Sequence, residues 1–453
     1  MKKVLIANRG EIAVRIIRAC HDLGLSTVAI YSKADEEALH TLLADEAICI
    51  GDSPSKESYL KISNILSACE ITNADTIHPG YGFLSENAKF AAICESCKIT
   101  FIGPSSKSIL KLGDKSKAKE IAKKVKCPVI QGTDGAVKDI DHALIEARKI
   151  GFPIFIKASA GGGGKGIRTA YSEPEFIKNF ISAKTEAEAS FNNSDIYLEK
   201  MIKNPRHIEV QILADKFGNI IHLGERDCSI QRRRQKLIEE APSPKISSPL
   251  RKKITQCAIN IIEEANYYSA ATVEFLIDEK NNFYFMEVNT RLQVEHAISE
   301  ELTGIDIVKQ QFKIAMDKRI TIKQKDIKFK NHVFEFRINA EDPANNFAPS
   351  PGKLIDYIPP GGPNVRLDSA CYSGYVIPPF YDSMIAKLII KARDRQEAIS
   401  IAKRALKEFH ITGVNSTIGF HLFILEDENF VNGNYNLNYI DDLILKGIKF
   451  RLN

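Results

Sequence analysis

The first 110 residues alternate short apolar runs with a helical pattern, and this alternation constrains the fold more than any other feature. Five runs have the character of buried strands: KVLIAN, STVAIYS, EAICIG, ADTIHPG and ITFIGPS. Between the first two runs, Ile12, Ile16, Ile17 and Cys20 recur at helical spacing, and Gly24 follows as a stop signal. Strands that alternate with helices predict a parallel sheet of the α/β class. The first turn, NRGE, has one glycine, so the GxGxxG pattern that binds nicotinamide or flavin dinucleotides is missing.

The length and composition indicate an ordinary globular protein. The chain has 453 residues, of which 44% are hydrophobic and 26% charged, and this length suggests about three domains. We place the domains at 1–112, 113–325 and 326–453, with a small α/β subdomain at about 130–203 inside the second.

Charge and cysteine content limit the partners and the compartment. The net charge of +5 is a weak bias that suits small anionic substrates and gives no argument for nucleic acid. The apolar core of the N-terminus, Val4–Ala7, is too short for a signal peptide, and no apolar run is long enough to cross a bilayer. Nine cysteines without a disulfide spacing fit a reducing cytoplasm. The pair Cys94 and Cys97 lacks the second pair that a structural zinc site needs, so we interpret both as helix cysteines.

Four consecutive glycines, Gly161–Gly164, stand in the stretch IKASAGGGGKGIR. Such a run costs backbone entropy and contributes no packing, but it can approach a ligand closely and point successive N–H groups at anionic oxygens. Lys157 and Lys165 add positive charge to these amides. Gly166 follows where a Walker A loop has Ser or Thr, so we predict a phosphate-binding loop of another kind, with a flexible linker as the alternative.

Two carboxylates are predicted to face each other across a hairpin. TVEFLID and FYFMEVN flank a strong turn signal, and with EKNN as a four-residue loop Asp278 pairs with Phe283 and Glu274 faces Glu287. Opposed carboxylates repel unless a cation lies between them. Asn289 projects from the same face, and carboxylate and amide oxygens suit a Mg²⁺ ion that bridges nucleotide phosphates. A solvated hairpin face is the alternative.

The polar alternation continues beyond the hairpin in FMEVNTRLQVEH. Alternate residues of a strand share a face, so an extended strand would align five polar groups: Glu287, Asn289, Arg291, Gln293 and Glu295. Phe283 and Phe285 would precede them on that face, which indicates that the strand is largely buried. Arg291 would lie beside Glu295 and keep its carboxylate ionised. So much polarity on one face of a largely buried strand requires a reason beyond folding.

The run QRRRQKLIEEAP is strongly basic. No aromatic residues interleave for base stacking, so a clamp on an anionic substrate fits better than a nucleic-acid site, with Lys236 or one of the arginines pointing inward. A solvated surface patch is the alternative. Taken alone, His207 in NPRHIEVQ is more often a structural histidine than a functional one.

Motifs along nearly the whole chain resemble those of the biotin carboxylases, members of the ATP-grasp superfamily. They include IANRGEIAVRIIRA, HPGYGFLSEN, KASAGGGGKG, EKMIKNPRHIEVQ, GERDCSIQRRRQK, FMEVNTRLQVEH, RINAED and PPFYDSMIAKL. RLQVEH, RINAED and YDSMIAKL are specific to the biotin-dependent carboxylases, whereas the glycine loop and the paired glutamates occur more widely. The resemblance implies an N-terminal parallel α/β domain, an ATP-grasp domain with a mobile glycine-rich lid and a C-terminal mixed α+β domain.

The resemblance also implies roles for individual residues. The implied ATP-binding residues are Lys115, Lys157, Gly163, Gly164, Glu199, Lys200, Ile202, His207, Gln231 and Arg234. The implied bicarbonate and biotin site comprises Tyr81, Lys236, Arg291, Gln293, Val294, Glu295 and Arg337, with Lys236, Arg291, Glu295 and Arg337 catalytic. The implied metal ligands are Glu274, Glu287 and Asn289.

Four positions depart from the usual family pattern. Arg234 stands where many members have His beside the nucleotide ribose, which leaves that contact open. Ala160 and Lys165 replace a glycine and a frequent arginine of the loop without removing phosphate-facing amides. Phe336 replaces a frequent Cys, which we interpret as a packing change.

The reaction implied by the resemblance is the carboxylation of biotin with ATP, bicarbonate and Mg²⁺ or Mn²⁺, through carboxyphosphate. Carrier domains bear biotin on the Lys of a Met-Lys pair, and only Met1 precedes a Lys here, so we expect biotin on a separate biotin carboxyl carrier protein. Carboxyltransferase subunits would be further partners. Acetyl-CoA carboxylase, which makes malonyl-CoA for fatty-acid synthesis, is the favoured assembly, and pyruvate or propionyl-CoA carboxylase is the alternative. The remaining alternatives are another ATP-grasp ligase and a non-catalytic nucleotide-binding regulator.

A homodimer is also expected. Arg15 and Arg18 lie on the first helix with a shared face, and this helix forms part of the subunit interface in the family. Exposed arginines on a solvated helix are the alternative.

Overall fold

The computed structural model describes residues 1–158, 167–191 and 194–448, and the side chains of 189–191 are excepted. The first region is a five-stranded parallel sheet in the order β3-β2-β1-β4-β5. Its strands are β1 (Lys3–Ile6), β2 (Ser26–Tyr31), β3 (Glu46–Cys49), β4 (Thr76–His78) and β5 (Thr100–Phe101). Its helices are α1 (Gly10–Asp22), α2 (Leu39–Leu43), α3 (Ile62–Thr72), α4 (Ala88–Ser96) and α5 (Ser106–Gly113). The predicted parallel α/β sheet is confirmed, and each of the five apolar runs contributes one strand.

A three-stranded antiparallel sheet with its own core follows α6 (Lys115–Lys124). The elements of this unit are α7 (Ile140–Ile150), β6 (Ile154–Ala158), β7 (Ile167–Ala170), α8 (Glu173–Phe191) and β8 (Ile196–Lys200). The two helices pack on the sheet through apolar residues such as Ala147, Phe176 and Leu198. Gly163 and Gly164 of the predicted phosphate loop lie outside the described residues.

An eight-stranded sheet forms the centre of the molecule, in the order β13-β12-β9-β10-β11-β14-β21-β19. Elements of the second region are β9 (Arg206–Ala214), β10 (Ile220–Arg232), β11 (Gln235–Ala241), α9 (Ser248–Glu264), β12 (Ser269–Ile277), β13 (Phe283–Asn289), α10 (His296–Thr303) and α11 (Ile307–Ala315). The third region adds β14 (His332–Asn339), β19 (Val365–Ser369) and β21 (Met384–Ala392) to the same sheet. The boundary placed at 325 therefore divides one continuous sheet between two sequence regions.

The rest of the third region consists of short elements around that sheet. The strands are β15 (Glu341–Asp342), β16 (Ala348–Pro349), β17 (Gly352–Lys353), β18 (Tyr357–Ile358), β20 (Val376–Ile377) and β22 (His410–Ile411). The helices are α12 (Arg395–Glu408), α13 (Ile418–Ile424), α14 (Glu428–Val431) and α15 (Tyr439–Leu445). Single 3₁₀ turns occur at Lys33–Asp35, Ser55–Glu57, Gln324–Asp326 and Pro343–Asn345. No helix within the described ranges is long and apolar enough to span a membrane.

The hairpin of β12 and β13 pairs Glu274 with Glu287, but its register differs from the predicted one near the turn. Ile277, and not Asp278, pairs with Phe283. The register shifts by one between Phe275 and Glu274, so Met286 is an extra residue that forms a β-bulge. The prediction of the opposed glutamates was correct, whereas the assumed regular ladder was wrong.

The bulge also decides which side chains share a face. Phe285 pairs with Phe275 and is fully buried in the core on the face that α6 covers. Glu287 pairs with Glu274 on the opposite face of the sheet. The expectation that Phe285 shares a face with Glu287 was therefore wrong.

The strand does not continue through the polar stretch as predicted. β13 ends at Asn289, an irregular turn follows, and α10 begins at His296. Strand alternation therefore cannot align Arg291, Gln293 and Glu295, and their positions are set by the turn and by the start of α10.

Candidate active site

The Glu274 carboxylate lies at the centre of a buried polar network on one face of the large sheet. Its Oε1 accepts hydrogen bonds from Asn289 Nδ2 at 2.7 Å and Gln293 Nε2 at 3.1 Å, and its Oε2 lies 2.8 Å from His207 Nε2. Burial alone would raise the pKa of this carboxyl, but Lys236 and His207 outweigh burial and hold the pKa at about 2. Glu274 is therefore ionised at neutral pH.

Glu287 faces Glu274 from the neighbouring strand and is more exposed. Lys115, the first residue of α6, places its Nζ 3.2 Å from Glu287 Oε2. A cleft of about 250 Å³ opens beside this pair and is lined in part by Glu86, Lys115, Glu287 and Asn289. This end of the network is accessible to a ligand.

The Glu295 carboxylate is held between two cations from different strands. Lys236 Nζ donates to Glu295 Oε1 at 2.5 Å, and Arg337 Nη2 donates to Oε2 at 2.8 Å. Lys236 comes from β11 and Arg337 from the adjacent β14, while Glu295 immediately precedes α10, which packs across both strands. The sheet and the helix therefore bring together three residues that are distant in sequence.

Cations control the ionisation of Glu295. Burial alone would raise its pKa, but Lys236, Arg337 and Arg226 outweigh burial and hold the pKa well below its usual range. The carboxylates of Glu209, Glu295 and Glu274 raise the pKa of the Lys236 ammonium well above its usual value, against the effect of burial. Glu295 is thus a fixed anion, and Lys236 and Arg337 are fixed cations.

Arg291 occupies a different place from the one predicted. Its Nε donates to Glu86 Oε2 at 2.8 Å, and its Nη2 reaches Asn289 Oδ1 at 3.4 Å. It makes no ion pair with Glu295 among the described contacts. The predicted pairing of Arg291 with Glu295 was wrong because strand alternation ends at Asn289; Lys236 and Arg337 take that role.

Gln293, Val294 and Tyr81 surround the same region. Arg291 Nη1 donates to Gln293 Oε1 at 3.3 Å, so Gln293 bridges Arg291 and Glu274. The Val294 carbonyl accepts a hydrogen bond from the fully buried Lys387 at 2.8 Å. The Tyr81 hydroxyl donates to Glu11, whose Oε1 lies 3.1 Å from Lys387 Nζ.

One predicted nucleotide-binding lysine, Lys157, shares its carboxylate partner with Lys119, which the sequence did not predict. Glu199, on β8, accepts hydrogen bonds from Lys157 on β6 and from Lys119 on α6. The Lys200 ammonium turns the other way and donates to the carbonyl of Gly151 at 2.7 Å. The pair of Glu199 and Lys119 links the small three-stranded unit to α6.

Three further predicted ATP-binding residues, Ile202, Gln231 and Arg234, come later in the chain. Ile202 lies half-buried in the loop after β8. Gln231 Nε2 lies 3.2 Å from Nδ1 of the buried His207, so this contact fixes both side chains in place. Arg234 is exposed at the tip of the β10–β11 hairpin, where Arg233 and Arg234 adopt positive φ angles of 47° and 68°. Such angles are typical of a two-residue hairpin turn.

The donor set of Glu274, Glu287 and Asn289 fits a hard divalent cation. Two opposed carboxylates, one firmly ionised, and an amide oxygen supply the oxygen ligands that Mg²⁺ prefers. Two tighter groups also occur within the described residues, His207–Glu209–Glu274 and Glu209–Cys228–Glu295. Glu209 is already neutralised there by Arg226 at 2.6 Å and Lys236 at 2.6 Å, so these groups are explained as ion-pair networks.

Sequence reasoning missed the residues that support this site. Glu209 lies opposite both Glu274 and Arg226 in the sheet and is fully buried. Its signal was the alternation in HIEVQ, which places Glu209 on the same face as His207. The signal for Lys387 was its position inside the apolar run MIAKLII. A lysine is almost never fully buried unless it is paired, so a lysine in a buried strand indicates a buried ion pair.

Comparison with known proteins decides the family. Three family models match in chain order: the biotin carboxylase N-terminal domain at 1–109, the ATP-binding domain of the carbamoyl-phosphate synthase L chain at 114–323 and the biotin carboxylase C-terminal domain at 335–442. Biotin carboxylase 1 of Bacillus subtilis is 52% identical over 448 residues, which cover 99% of this chain and 100% of the relative. The chain belongs to the biotin carboxylase family. It is an ATP-grasp ligase, as the sequence motifs predicted.

Two other relatives show the range of assemblies in which this enzyme type occurs. A pyruvate carboxylase subunit of Methanothermobacter thermautotrophicus is 50% identical, over 97% of this chain and 89% of the relative. The biotin carboxylase domain dimer of Hydrogenobacter thermophilus 2-oxoglutarate carboxylase, solved with MgADP, ADP and bicarbonate, matches with a TM-score of 0.94 and 47% identity, over 100% of this chain and 99% of that chain. These two relatives therefore belong to carboxylases that are named for different substrates, pyruvate and 2-oxoglutarate.

Proposed function

We propose that the enzyme carboxylates biotin with ATP and bicarbonate at the polar face that runs from Glu287 to Glu295. One observation carries this proposal: an ionised Glu295 lies between Lys236 and Arg337, on the network that also contains the opposed pair Glu274 and Glu287. This arrangement supplies a base and two anion-binding cations at one end and a cation site at the other.

At the nucleotide end, Lys115 and Lys157 bind the phosphates of ATP, together with the predicted glycine loop. Glu199, Lys200 and Ile202 border the adenine, with His207, Gln231 and Arg234 near the rest of the nucleotide. Glu274, Glu287 and Asn289 hold Mg²⁺ or Mn²⁺, which neutralises charge on the phosphoryl group as it is transferred.

In the first step, bicarbonate binds near Lys236, Arg291, Gln293 and the backbone of Val294. Its negative charge competes for Lys236 and Arg337, which loosens their hold on Glu295 and raises the proton affinity of that carboxylate. Glu295 then takes the bicarbonate proton, and a carbonate oxygen attacks the γ-phosphorus. The bond from phosphorus to the β–γ bridging oxygen breaks, and the products are ADP and carboxyphosphate.

In the second step, the carbon–oxygen bond of carboxyphosphate breaks to give CO₂ and phosphate. The biotin N1–H gives its proton to this phosphate, and N1 attacks CO₂. Arg337 donates to the ureido oxygen, where negative charge develops, and Tyr81 borders the ring. A closed lid excludes water from the short-lived intermediate.

We further propose that biotin is carried on a separate biotin carboxyl carrier protein in the cytoplasm. The favoured assembly is acetyl-CoA carboxylase with carboxyltransferase subunits; in its support, similar relatives such as that of Bacillus subtilis are named biotin carboxylase with no other carboxylase in the name. A pyruvate carboxylase is the second candidate because of the relative from Methanothermobacter thermautotrophicus. Affinity capture of the associated carboxyltransferase distinguishes the two.

The experiment that tests the activity is ATP cleavage measured with bicarbonate, with and without free biotin, alongside carboxybiotin formation. We expect bicarbonate-dependent ADP release that biotin accelerates, and one carboxybiotin for each biotin-dependent turnover. ATP cleavage that ignores both bicarbonate and biotin would contradict the proposal and favour another ATP-grasp ligase.

A further inference from the structure

Two glutamates lie next to Arg337: Glu239, to which Arg337 donates, and Glu335, two residues before Arg337 on β14. Glu239 on β11 is paired in register with Glu335 on β14, so the two side chains stand opposite each other on one face of the sheet. Both are fully buried. The face is covered by α10, whose Ala297 and Ile298 pack with apolar residues of the same strands.

Three oxygens of this pair have no hydrogen-bond partner among the described residues: Glu239 Oε2, Glu335 Oε1 and Glu335 Oε2. Only Glu239 Oε1 is bonded, by Arg337 Nε at 2.7 Å. Two ionised carboxylates that are buried, opposed and this poorly bonded would be strongly destabilising. A single proton on the pair removes one charge and converts one acceptor into a donor.

Among the residues that the structure describes, the nearby cations are already bonded to other groups and none is left as a second partner for the pair. Arg337 is already bonded to Glu239 and Glu295. Lys387 on β21 is paired in register with Arg337 and is bonded to Glu11 and to the Val294 carbonyl. Lys236 on β11 is bonded to Glu209 and Glu295.

The titration of the surrounding groups is consistent with this geometry. Burial raises the pKa of Glu239 to about 7 in spite of Arg337, and burial raises that of Glu335 well above its usual range. Glu295, at the start of α10, adds to the rise of both pKa values. His296 beside it is neutral because burial and Lys387 hold its pKa well below its usual value. Glu239 is the member that Arg337 binds, so the proton resides on Glu335.

We propose that Glu239 and Glu335 share one proton beside Arg337. The neutral Glu335 is then a positioning residue, which keeps the Arg337 guanidinium directed at Glu295 and the substrate. This inference rests on the function proposed for Arg337. Loss of the proton places a third negative charge near the guanidinium, in addition to those of Glu239 and Glu295. That charge competes with substrate for Arg337, so carboxylation falls as pH rises.

The pH profile tests the positioning role. Glu335→Gln keeps the shape of a protonated glutamic acid and cannot ionise. We expect the ratio of carboxybiotin rates at high and neutral pH to be at least about threefold larger in the variant, since one ionisation changes a rate up to about tenfold per pH unit. An unchanged ratio would overturn the positioning role.

A matched control is the neighbouring Glu240→Gln. Glu240 lies on the same strand but faces the other side, where it is ionised and bonded to His332 at 2.7 Å and Arg395 at 2.9 Å. Glu240 is already fully ionised above its ordinary pKa of 4.5, so its loss of stability is the same at neutral and at high pH, and the control is expected to leave the ratio of the two rates within about twofold of the wild type. A control ratio that rises as much as that of Glu335→Gln would show a non-specific effect and overturn the assignment.

The protonation state itself is tested without activity. When the pKa of a carboxyl is raised in the folded protein, the free energy of unfolding of the protein falls as pH rises from the pKa of the unfolded state to that of the folded state. The unfolding temperature of Glu335→Gln should therefore exceed that of the wild type by an amount that grows from pH 5 to pH 8. Isotope-edited infrared spectra at neutral pH should show a protonated carboxyl band that the variant lacks.

The two sets of measurements separate the proposals. A constant difference in unfolding temperature with no missing infrared band would overturn the shared proton. A growing difference and a missing band in an enzyme that forms no carboxybiotin would retain the shared proton and reject the proposed function.

Discussion

At the residue scale, Glu295 and Arg337 are the residues on which the proposed chemistry depends. Sequence motifs identified both, but the reason given for the ionisation of Glu295 was wrong. Arg291 is directed to Glu86, and the neutralising cations are Lys236 and Arg337 from neighbouring strands. These contacts join residues about 40 to 60 positions apart, which no local spacing rule can reveal.

Glu295→Gln should suppress ATP cleavage itself, by about 10²–10⁴-fold, because bicarbonate must lose its proton before it attacks phosphorus. Arg337→Gln should retain some bicarbonate-dependent ATP cleavage while carboxybiotin formation falls by about 10²–10³-fold, because its proposed role is at the ureido oxygen. Phosphate release and carboxybiotin are measured together, with nucleotide affinity as the control. Equal loss of both activities in the two variants would contradict this division of roles.

Glu240 gives a prediction for stability against pH. His332 and Arg395 lower its pKa to about 2 against the effect of burial, so its contribution to stability is present above its ordinary pKa of 4.5 and is lost as pH falls toward 2. Glu240→Gln should therefore destabilise the protein by about 3–5 kcal/mol at neutral pH, as expected for a broken buried ion pair. The free energies of unfolding of the variant and the wild type, measured with denaturant, should become equal as pH falls from 4.5 to 2. A difference that persists unchanged in acid would show that the ion pairs are not its cause.

At the element scale, the β12–β13 hairpin shows what a sequence pattern can and cannot predict. The turn signal and the apolar alternation predicted both strands and the opposed glutamates. The bulge at Met286 was not predictable, because its position depends on Phe285 packing against Phe275 in the core. A regular ladder from the true turn would have paired Glu274 with Met286, and the extra residue restores Glu287 to that position.

Glu287→Gln should weaken the use of Mg²⁺ more than the binding of nucleotide, because one of two opposed carboxylates is lost while Lys157 is untouched. The measurement is ATP cleavage as a function of Mg²⁺ concentration. Glu279→Gln, at the exposed turn of the same hairpin, serves as the control and should leave that dependence unchanged. An unaltered Mg²⁺ dependence in Glu287→Gln would remove Glu287 from the proposed ligands.

At the scale of the whole molecule, the proposed site lies where two sequence regions complete one sheet. β11 pairs with β14 across the predicted boundary, and this pairing places Lys236 beside Arg337. The first region was predictable because its strands and helices are local and periodic. The eight-stranded sheet was not, because its order depends on long-range pairing between strands such as β11 and β14.

The expected homodimer now depends on fewer residues than the sequence suggested. Arg15 is directed into its own chain, where it donates to Glu300 at 2.8 Å and Asp306 at 2.7 Å, whereas Arg18 is exposed. We expect a species of about twice the chain mass in sedimentation at micromolar protein, and a shift toward monomer in Arg18→Glu. Arg15→Glu is not a suitable probe, because it would break buried ion pairs. A wild-type protein that sediments only as a monomer would reject the dimer.

The central claim is that bicarbonate attacks the γ-phosphate of ATP and that the resulting carboxyphosphate then breaks its carbon–oxygen bond. The most direct measurement uses bicarbonate labelled with ¹⁸O in unlabelled water, with rapid mass analysis of the phosphate released in the presence of biotin. The attacking oxygen stays on phosphorus, so we predict one ¹⁸O atom transferred to each phosphate. Phosphate that carries no label from bicarbonate, and instead takes its oxygen from water, would contradict the account.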